Sequence, residues 1–171
     1  MISLNIMVAF LTFALVATSS PGPGNMLVLA SSANFGFRRS LPLVFGTASG
    51  VGFLLLGVGL GFGALLTALP ALYEVLRYMG AGYLLYLAWR IAGSGPISGK
   101  PDSAKPIGFF GGAAFQWINP KTWVVTSRAV AKYVPQSAYF IHVVRIALPL
   151  GFTAWFSVVV WAAFGGARRN L

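Results

Sequence analysis

The chain has 171 residues, of which 57% are hydrophobic and 8% are charged. A soluble domain carries about 25% charged residues, so the composition excludes a soluble protein and predicts an all-α polytopic membrane protein in a lipid bilayer. Its net charge is +10, but the cations stand at the ends of apolar runs and not in one stripe, which argues against nucleic acid as a partner. No cysteine and a single histidine predict neither a metal site nor a cofactor.

The first 37 residues carry no charge and are interrupted once, by Ser20-Pro21-Gly22-Pro23-Gly24-Asn25. About 20 apolar residues cross a bilayer, so we expect a first span over Leu4–Ser19 and a short amphipathic helix over residues 25–35. Prolines and glycines remove regular backbone hydrogen bonds. Inside a membrane such backbone is tolerated only when it is buried in protein or lines a wet cavity. The segment is therefore either a plain turn or the break of a discontinuous transport helix.

Four further spans are predicted, over residues 41–66, 72–91, 107–131 and 146–164. The fourth span contains Asn119-Pro120-Lys121, so a proline interrupts it as well. Within one transmembrane domain, a polar loop over residues 93–106 separates a half over residues 1–92 from a half over residues 107–171. Because each half begins with a broken span and would hold an odd number of helices, we expect inverted three-helix repeats.

The second and fourth spans carry glycines at spacings that keep them on one helical face. These are Gly46, Gly50, Gly57 and Gly61 on the second span, and Gly108 and Gly112 on the fourth. Small residues allow another helix to approach closely. We interpret these faces as tight packing within a bundle, or as contacts of a homo-oligomer.

The distribution of cations predicts the orientation of the chain. Lys132 and Arg145 are expected on one side of the membrane, with Arg128 nearby. Seven cations are expected on the other side: Arg38, Arg39, Arg90, Lys100, Lys105, Arg168 and Arg169. The positive-inside rule places these seven in the cytoplasm and the N-terminus in the periplasm.

Lys121 lies beside the proline of the fourth span. A lysine at mid-membrane costs roughly 2.5–3.5 kcal/mol, so it needs a bundle interior, a cavity or an ion partner; alternatively, its ammonium reaches the interface. Gln116 and Asn119 are three residues apart and share a helical face. If the two breaks meet inside the bundle, amides near Gly24 would bind a substrate carboxylate and Lys121 would pair with that carboxylate or with one of the protein. The amides of Asn25, Gln116 and Asn119 would orient polar groups.

Glu74 is the acidic residue near a span, because Asp102 falls in the polar loop. An ion pair with Arg77, three residues later, is the simple interpretation, and proton coupling is the alternative. Two carboxylates, one histidine and no cysteine form no recognisable catalytic set, which predicts that the protein is not an enzyme.

Four segments, in order, resemble the LysE/RhtB family of amino-acid exporters. They are Pro21-Gly22-Pro23, residues 80–90 (GAGYLLYLAWR), residues 115–123 (FQWINPKTW), and residues 161–165 (WAAFG) with Arg168-Arg169. The resemblance implies an exporter of amino acids or close derivatives in the bacterial inner membrane, working as a secondary transporter coupled to the proton gradient.

Members of that family end with a sixth hydrophobic helix, whereas this chain ends at Leu171. We expect about five spans and an incomplete second half: either the chain is truncated before its sixth helix, or five helices suffice. Some exporters of basic amino acids in the family carry an aspartate after the glycine motif of the second helix, where this chain has Val51 after Gly50. Without a buried carboxylate to partner a basic side chain, we expect a neutral substrate that resembles homoserine or threonine.

We therefore expect an amino-acid exporter with its substrate site at the two breaks and with Glu74 as the candidate for proton coupling. The alternative is a non-transporting membrane scaffold or assembly partner, built from the same helices without a cavity. The expected substrate-binding residues are Pro21, Gly22, Pro23, Gly24, Asn25, Gln116, Asn119, Pro120 and Lys121.

Overall fold

A computed structural model describes residues 3–62 and 106–168, together with isolated helical positions between residues 68 and 89. Helices α1 (Leu4–Ser19), α2 (Pro23–Phe35) and α3 (Phe37–Gly57) follow one another, and a π-helical turn, Val58–Phe62, continues α3. Helices α4 (Phe109–Ile118), α5 (Pro120–Tyr133) and α6 (Tyr139–Arg168) make up the second part. The described residues contain no strand, and the predicted all-α class is confirmed. The predicted third span falls largely, and the polar loop almost entirely, outside the described residues.

Both predicted helix breaks are confirmed. α1 and α2 are bent by 53° at their junction, where Gly22 is extended and Pro23 occupies the first turn of α2. α4 ends before Asn119, which is also extended, and Pro120 occupies the first turn of α5. A proline tolerates this position because its missing N–H would have had no partner there.

Within the described part of the chain, two helices are long and apolar enough to cross a membrane: Phe37–Phe62, with 26 residues, and Tyr139–Ala167, with 29. The bent pair α1 and α2 counts as a third span if it is taken as one broken helix. The second span begins four residues earlier than predicted, because Arg38 and Arg39 lie in the exposed first turn of the helix and do not precede it. The short helix after the first break was expected to be amphipathic. Instead, α2 packs against α6 within the bundle.

The predicted glycine face lets α3 and α4 approach closely. A Cβ atom on Gly46 would lie 2.0 Å from the carbonyl oxygen of Phe109, and one on Gly112 would lie 2.8 Å from that of Leu43. A Cβ atom on Gly50 would lie 2.7 Å from another carbonyl oxygen of α4. The two backbones are therefore in contact along this seam.

The expectation of a homo-oligomer through this face requires correction. Gly46 and Gly50 are covered by α4 of the same chain, and Gly57 lies against the side chain of Trp117. Gly61 lies inside the π-helical turn and has a positive φ of 110°. Glycine is favoured there by the backbone conformation and not by close packing.

Two buried apolar clusters divide the bundle along its length. The first joins α1, α5 and the neighbouring parts of α3 and α6; it includes Phe10, Leu55, Tyr133, Val143, Ile146 and Leu150. The second joins α2, α4 and the opposite parts of α3 and α6; it includes Val28, Leu43, Val44, Phe115, Val158 and Ala162. The level between them is where both helix breaks occur.

Three of the described cations, Arg38, Arg39 and Lys132, lie near opposite ends of α6. Arg38 and Arg39 are exposed at the end where Gly166 packs against Phe37. Lys132, in the last turn of α5, is exposed at the end where α6 begins. The structure separates Arg38 and Arg39 from Lys132 as the sequence indicated, whereas Arg90, Lys100, Lys105 and Arg169 lie outside the described residues. The side of the membrane that each end faces stays a prediction.

The α3–α4 seam should not accept even a methyl group at Gly46. We expect Gly46→Ala to destabilise the purified protein by about 3 kcal/mol, because the clash is with backbone and not with a flexible side chain. Gly52→Ala is the matched control, since its Cβ would lie 3.7 Å from the nearest atom. Thermal unfolding in detergent measures both, and equal stabilities of the two variants would contradict the close approach.

Candidate functional site

Because α1 ends at the first break, its last carbonyl groups have no hydrogen-bond donor within their own helix. Asn25, at the start of α2, fills two of them: its Nδ2 donates to the carbonyl oxygens of Thr18 at 2.8 Å and of Ser20 at 2.9 Å. Asn25 is itself buried. Its amide therefore joins the end of α1 to the start of α2 across the two prolines.

Other helices supply further donors to the same turn of α1. From α6, the Ser157 hydroxyl donates to the carbonyl oxygen of Thr18 at 2.8 Å, and the indole N–H of Trp161 donates to that of Ser19 at 3.3 Å. From α5, the Lys121 ammonium donates to the carbonyl oxygen of Ser20. Side chains from three helices thus cap the end of α1.

The second break is organised by a chain of side-chain amides. Asn119 caps α5, because its Oδ1 accepts from the Lys121 backbone N–H at 3.1 Å. This fixes its Nδ2 towards Gln116 Oε1, at 3.4 Å, and the Thr122 hydroxyl donates to the same Oε1 at 2.8 Å. With its oxygen engaged twice, Gln116 presents Nε2, which is buried and has no partner among the described residues.

The two breaks face each other inside the bundle. The Lys121 side chain crosses Gly22, where a Cβ atom would lie 2.6 Å from Lys121 Cδ. A Cβ atom on Gly24 would lie 3.4 Å from Gln116 Nε2. A side chain at position 22 would displace the end of the lysine, which occupies that space. Lys121 therefore reaches the opposite break and not the membrane interface.

A cavity of about 40 Å³ lies between the breaks. On α3 it is lined by Thr47 and Val51, which flank the middle of the 26-residue span. On α6 it is lined by Ala154 and Val158, one from each apolar cluster. The remaining lining residues are Ala17, Thr18, Gly22, Gly24, Asn25, Gln116, Asn119, Lys121, Thr122 and Val125. The cavity thus lies near the centre of the membrane-spanning helices.

Six of the nine expected substrate-binding residues line this cavity: Gly22, Gly24, Asn25, Gln116, Asn119 and Lys121. The three prolines, Pro21, Pro23 and Pro120, do not line it. They lie at the helix breaks, where Pro23 and Pro120 occupy the first turns of α2 and α5. Glu74, the expected coupling residue, is exposed and is not a lining residue either.

Sequence reasoning missed Thr47, whose hydroxyl is buried without a partner among the described residues. Its position on the glycine face of α3, between Gly46 and Gly50, was the available signal: a polar side chain stood among residues that let α4 approach. Thr18 and Thr122, which line the cavity next to the breaks, were missed as well.

Comparison with known proteins indicates the same family as the sequence motifs. The family model for LysE type translocators matches residues 15–170. The chain belongs to this family. It is 35% identical over 167 residues to the cysteine/O-acetylserine efflux protein of Escherichia coli (strain K12), across 95% of this chain and 84% of that protein. The protein of that name from Salmonella choleraesuis (strain SC-B67) is 34% identical over 161 residues, across 92% and 80%.

No solved structure matches the chain. Membership of the translocator family makes this protein a multi-pass membrane transporter of a bacterial family, and not an enzyme. The relatives in that family are efflux proteins, which supports amino-acid export. In this translocator, the breaks of the discontinuous helices and the cavity with its polar lining residues lie at the same level of the bundle.

Asn25 should stabilise the fold, because its amide donates to two carbonyl groups in an apolar surrounding. We expect Asn25→Ala to lower the free energy of unfolding of the translocator by about 1–3 kcal/mol, the net value of the two hydrogen bonds that are lost. Ser157 and Lys121 still donate to the two carbonyl groups, so neither is left unpaired. Titration with a denaturing detergent measures the change.

Asn34→Ala is the control on the same helix, because Asn34 Nδ2 donates to the carbonyl oxygen of Ala30 within α2. That carbonyl lies in the regular part of the helix, so we expect little change in stability. An Asn25→Ala protein as stable as Asn34→Ala would show that the end of α1 is satisfied without Asn25.

Proposed function

We propose that the translocator exports a small, neutral amino acid from the bacterial cytoplasm and binds it in the cavity between the two helix breaks. The observation that carries the proposal is that hydrogen-bond donors of both breaks converge there. The substrate-binding residues proposed are those that line the cavity: Gly22, Gly24, Asn25, Gln116, Asn119 and Lys121.

The donors suit a carboxylate. The first amides of a helix have no acceptor within it, and the glycine cap of α2 supplies none. Those of Gly24 and Asn25 are buried at the positive end of the α2 dipole. Gln116 Nε2 lies beside Gly24 without a partner. The Lys121 ammonium adds a full positive charge, and no carboxylate among the described residues is bonded to it.

The rest of the cavity suits a short, uncharged side chain. None of the lining residues carries a carboxylate, so a basic side chain would be buried without a partner. Its α3 and α6 walls are apolar apart from Thr47. The relatives are named for cysteine and O-acetylserine, two small neutral amino acids. We propose the class of small neutral amino acids, which also includes the homoserine- or threonine-like substrates expected from the sequence.

Transport would proceed by alternating access. Ligand pockets measure about 300–1,000 Å³, so a cavity of about 40 Å³ must widen to admit an amino acid. The two apolar clusters lie on either side of it. In this proposal each cluster opens in turn, the end of α3 with Arg38 and Arg39 faces the cytoplasm, and the N-terminus lies in the periplasm.

Lys121→Gln should lower the initial rate of O-acetylserine uptake into inverted membrane vesicles about tenfold or more, because a charged hydrogen bond to the carboxylate is lost. Uptake into inverted vesicles corresponds to export from the cell. Rates are compared per amount of folded protein, since Lys121 also binds the carbonyl of Ser20.

Lys132→Gln is the matched control, because Lys132 lies on the same helix, is exposed, and does not line the cavity. We expect it to transport at close to the unmodified rate. A folded Lys121→Gln protein that transports as fast as Lys132→Gln would exclude Lys121 from the substrate site.

We further propose that the proton gradient drives export, with Glu74 as the coupling residue. A protonophore should then abolish concentrative uptake into inverted vesicles. Glu74→Gln should leave exchange of labelled for unlabelled substrate intact while abolishing accumulation against a gradient, because a glutamine cannot carry a proton. Accumulation by Glu74→Gln at the unmodified level would exclude Glu74 as the coupling group.

A further inference from the structure

Thr47 differs from the other threonines that the structure describes. Its side chain is 2% exposed, and its hydroxyl has no hydrogen-bond partner among the described residues. A buried hydroxyl without a partner costs free energy. Each of the other described threonines donates its hydroxyl to a carbonyl or amide oxygen: Thr12, Thr18, Thr122, Thr126 and Thr153.

The α3–α4 seam accounts for this exception in part. A helical threonine normally donates back to the carbonyl of the residue three or four positions earlier, which for Thr47 includes Leu43. Gly112 of α4 packs against that carbonyl, and a Cβ atom on Gly112 would lie 2.8 Å from the Leu43 oxygen. Thr47 makes no bond to it and lines the cavity instead.

Thr47 stands on a different wall of the cavity from the proposed carboxylate donors. Those donors belong to α2, α4 and α5, whereas the walls from α3 and α6 contribute Thr47, Val51, Ala154 and Val158. Thr47 is the polar residue of that set. A substrate held by its carboxylate at Gln116 and Lys121 would direct its side chain to these walls.

We propose that the Thr47 hydroxyl donates a hydrogen bond to the side chain of the substrate and so favours an amino acid with an acyl-ester side chain over one with a thiol. An ester carbonyl oxygen is a good acceptor, whereas a thiol is only a weak donor and acceptor. A site built to hydrogen-bond one group discriminates against an analogue that lacks it. This inference rests on the export function proposed above.

The test compares O-acetylserine with cysteine, under reducing conditions, as substrates in inverted vesicles. Thr47→Val keeps the shape of the side chain and removes the hydroxyl. We expect it to lower the ratio of O-acetylserine to cysteine uptake about tenfold, the value of one neutral hydrogen bond. Thr47→Ser keeps the hydroxyl and should keep the ratio of the unmodified protein. Because the hydroxyl has no partner among the residues that the structure describes, thermal stability of Thr47→Val should be unchanged or higher.

Thr126→Val is the matched control, since Thr126 is fully buried, donates within α5 and does not line the cavity. Its uptake ratio should be that of the unmodified protein. Equal changes in both uptake rates for Thr47→Val, or no change in either, would overturn the selectivity assigned to Thr47 and leave the export function standing. Failure of the unmodified protein to take up either amino acid would overturn the export function itself, and this inference with it.

Discussion

The structure depends on one constraint: the carbonyl groups at the end of α1 must be hydrogen-bonded inside an apolar bundle. Lipid offers no donors, so the donors come from the protein. Asn25 crosses the break from α2, Ser157 and Trp161 reach it from α6, and Lys121 reaches it from α5. A single turn of interrupted helix thereby holds four helices in register, and the polar groups recruited for that purpose make the centre of an otherwise apolar bundle hydrophilic.

The same constraint gives Lys121 one partner in the protein and, in the proposed function, a second partner in the substrate. In this structure its ammonium binds the carbonyl of Ser20, whereas the proposed function assigns it to a substrate carboxylate. A carboxylate is the stronger acceptor, so an arriving amino acid would compete for the lysine. Such competition would loosen α5 from the end of α1 at the moment of binding. This gives substrate recognition a direct route to the helix movement that alternating access requires.

The helix breaks, the glycine seam and the central position of Lys121 could be predicted from the sequence, because proline, glycine and an intramembrane charge act through local chemistry. The roles of individual polar residues could not. Asn25 stays a proposed substrate-binding residue, but the sequence did not indicate that its amide nitrogen also caps α1. Thr47 was missed because its hydroxyl lacks a partner among the described residues only once α4 packs against the Leu43 carbonyl. A sequence pattern does not show such a tertiary contact. The prolines make the breaks without lining the cavity, since a proline restricts its own backbone and not the direction in which neighbouring side chains point.

Gly50 connects the outer packing of the bundle to its chemistry. A Cβ atom there would lie 2.8 Å from Gln116 Cγ, so the absence of a side chain on α3 determines how deeply the glutamine sits. A larger residue at position 50 would displace the Gln116 amide without contacting the transported molecule. Divergence within this family could therefore retune what is exported through changes at helix contacts, while every residue that meets the transported molecule stays the same.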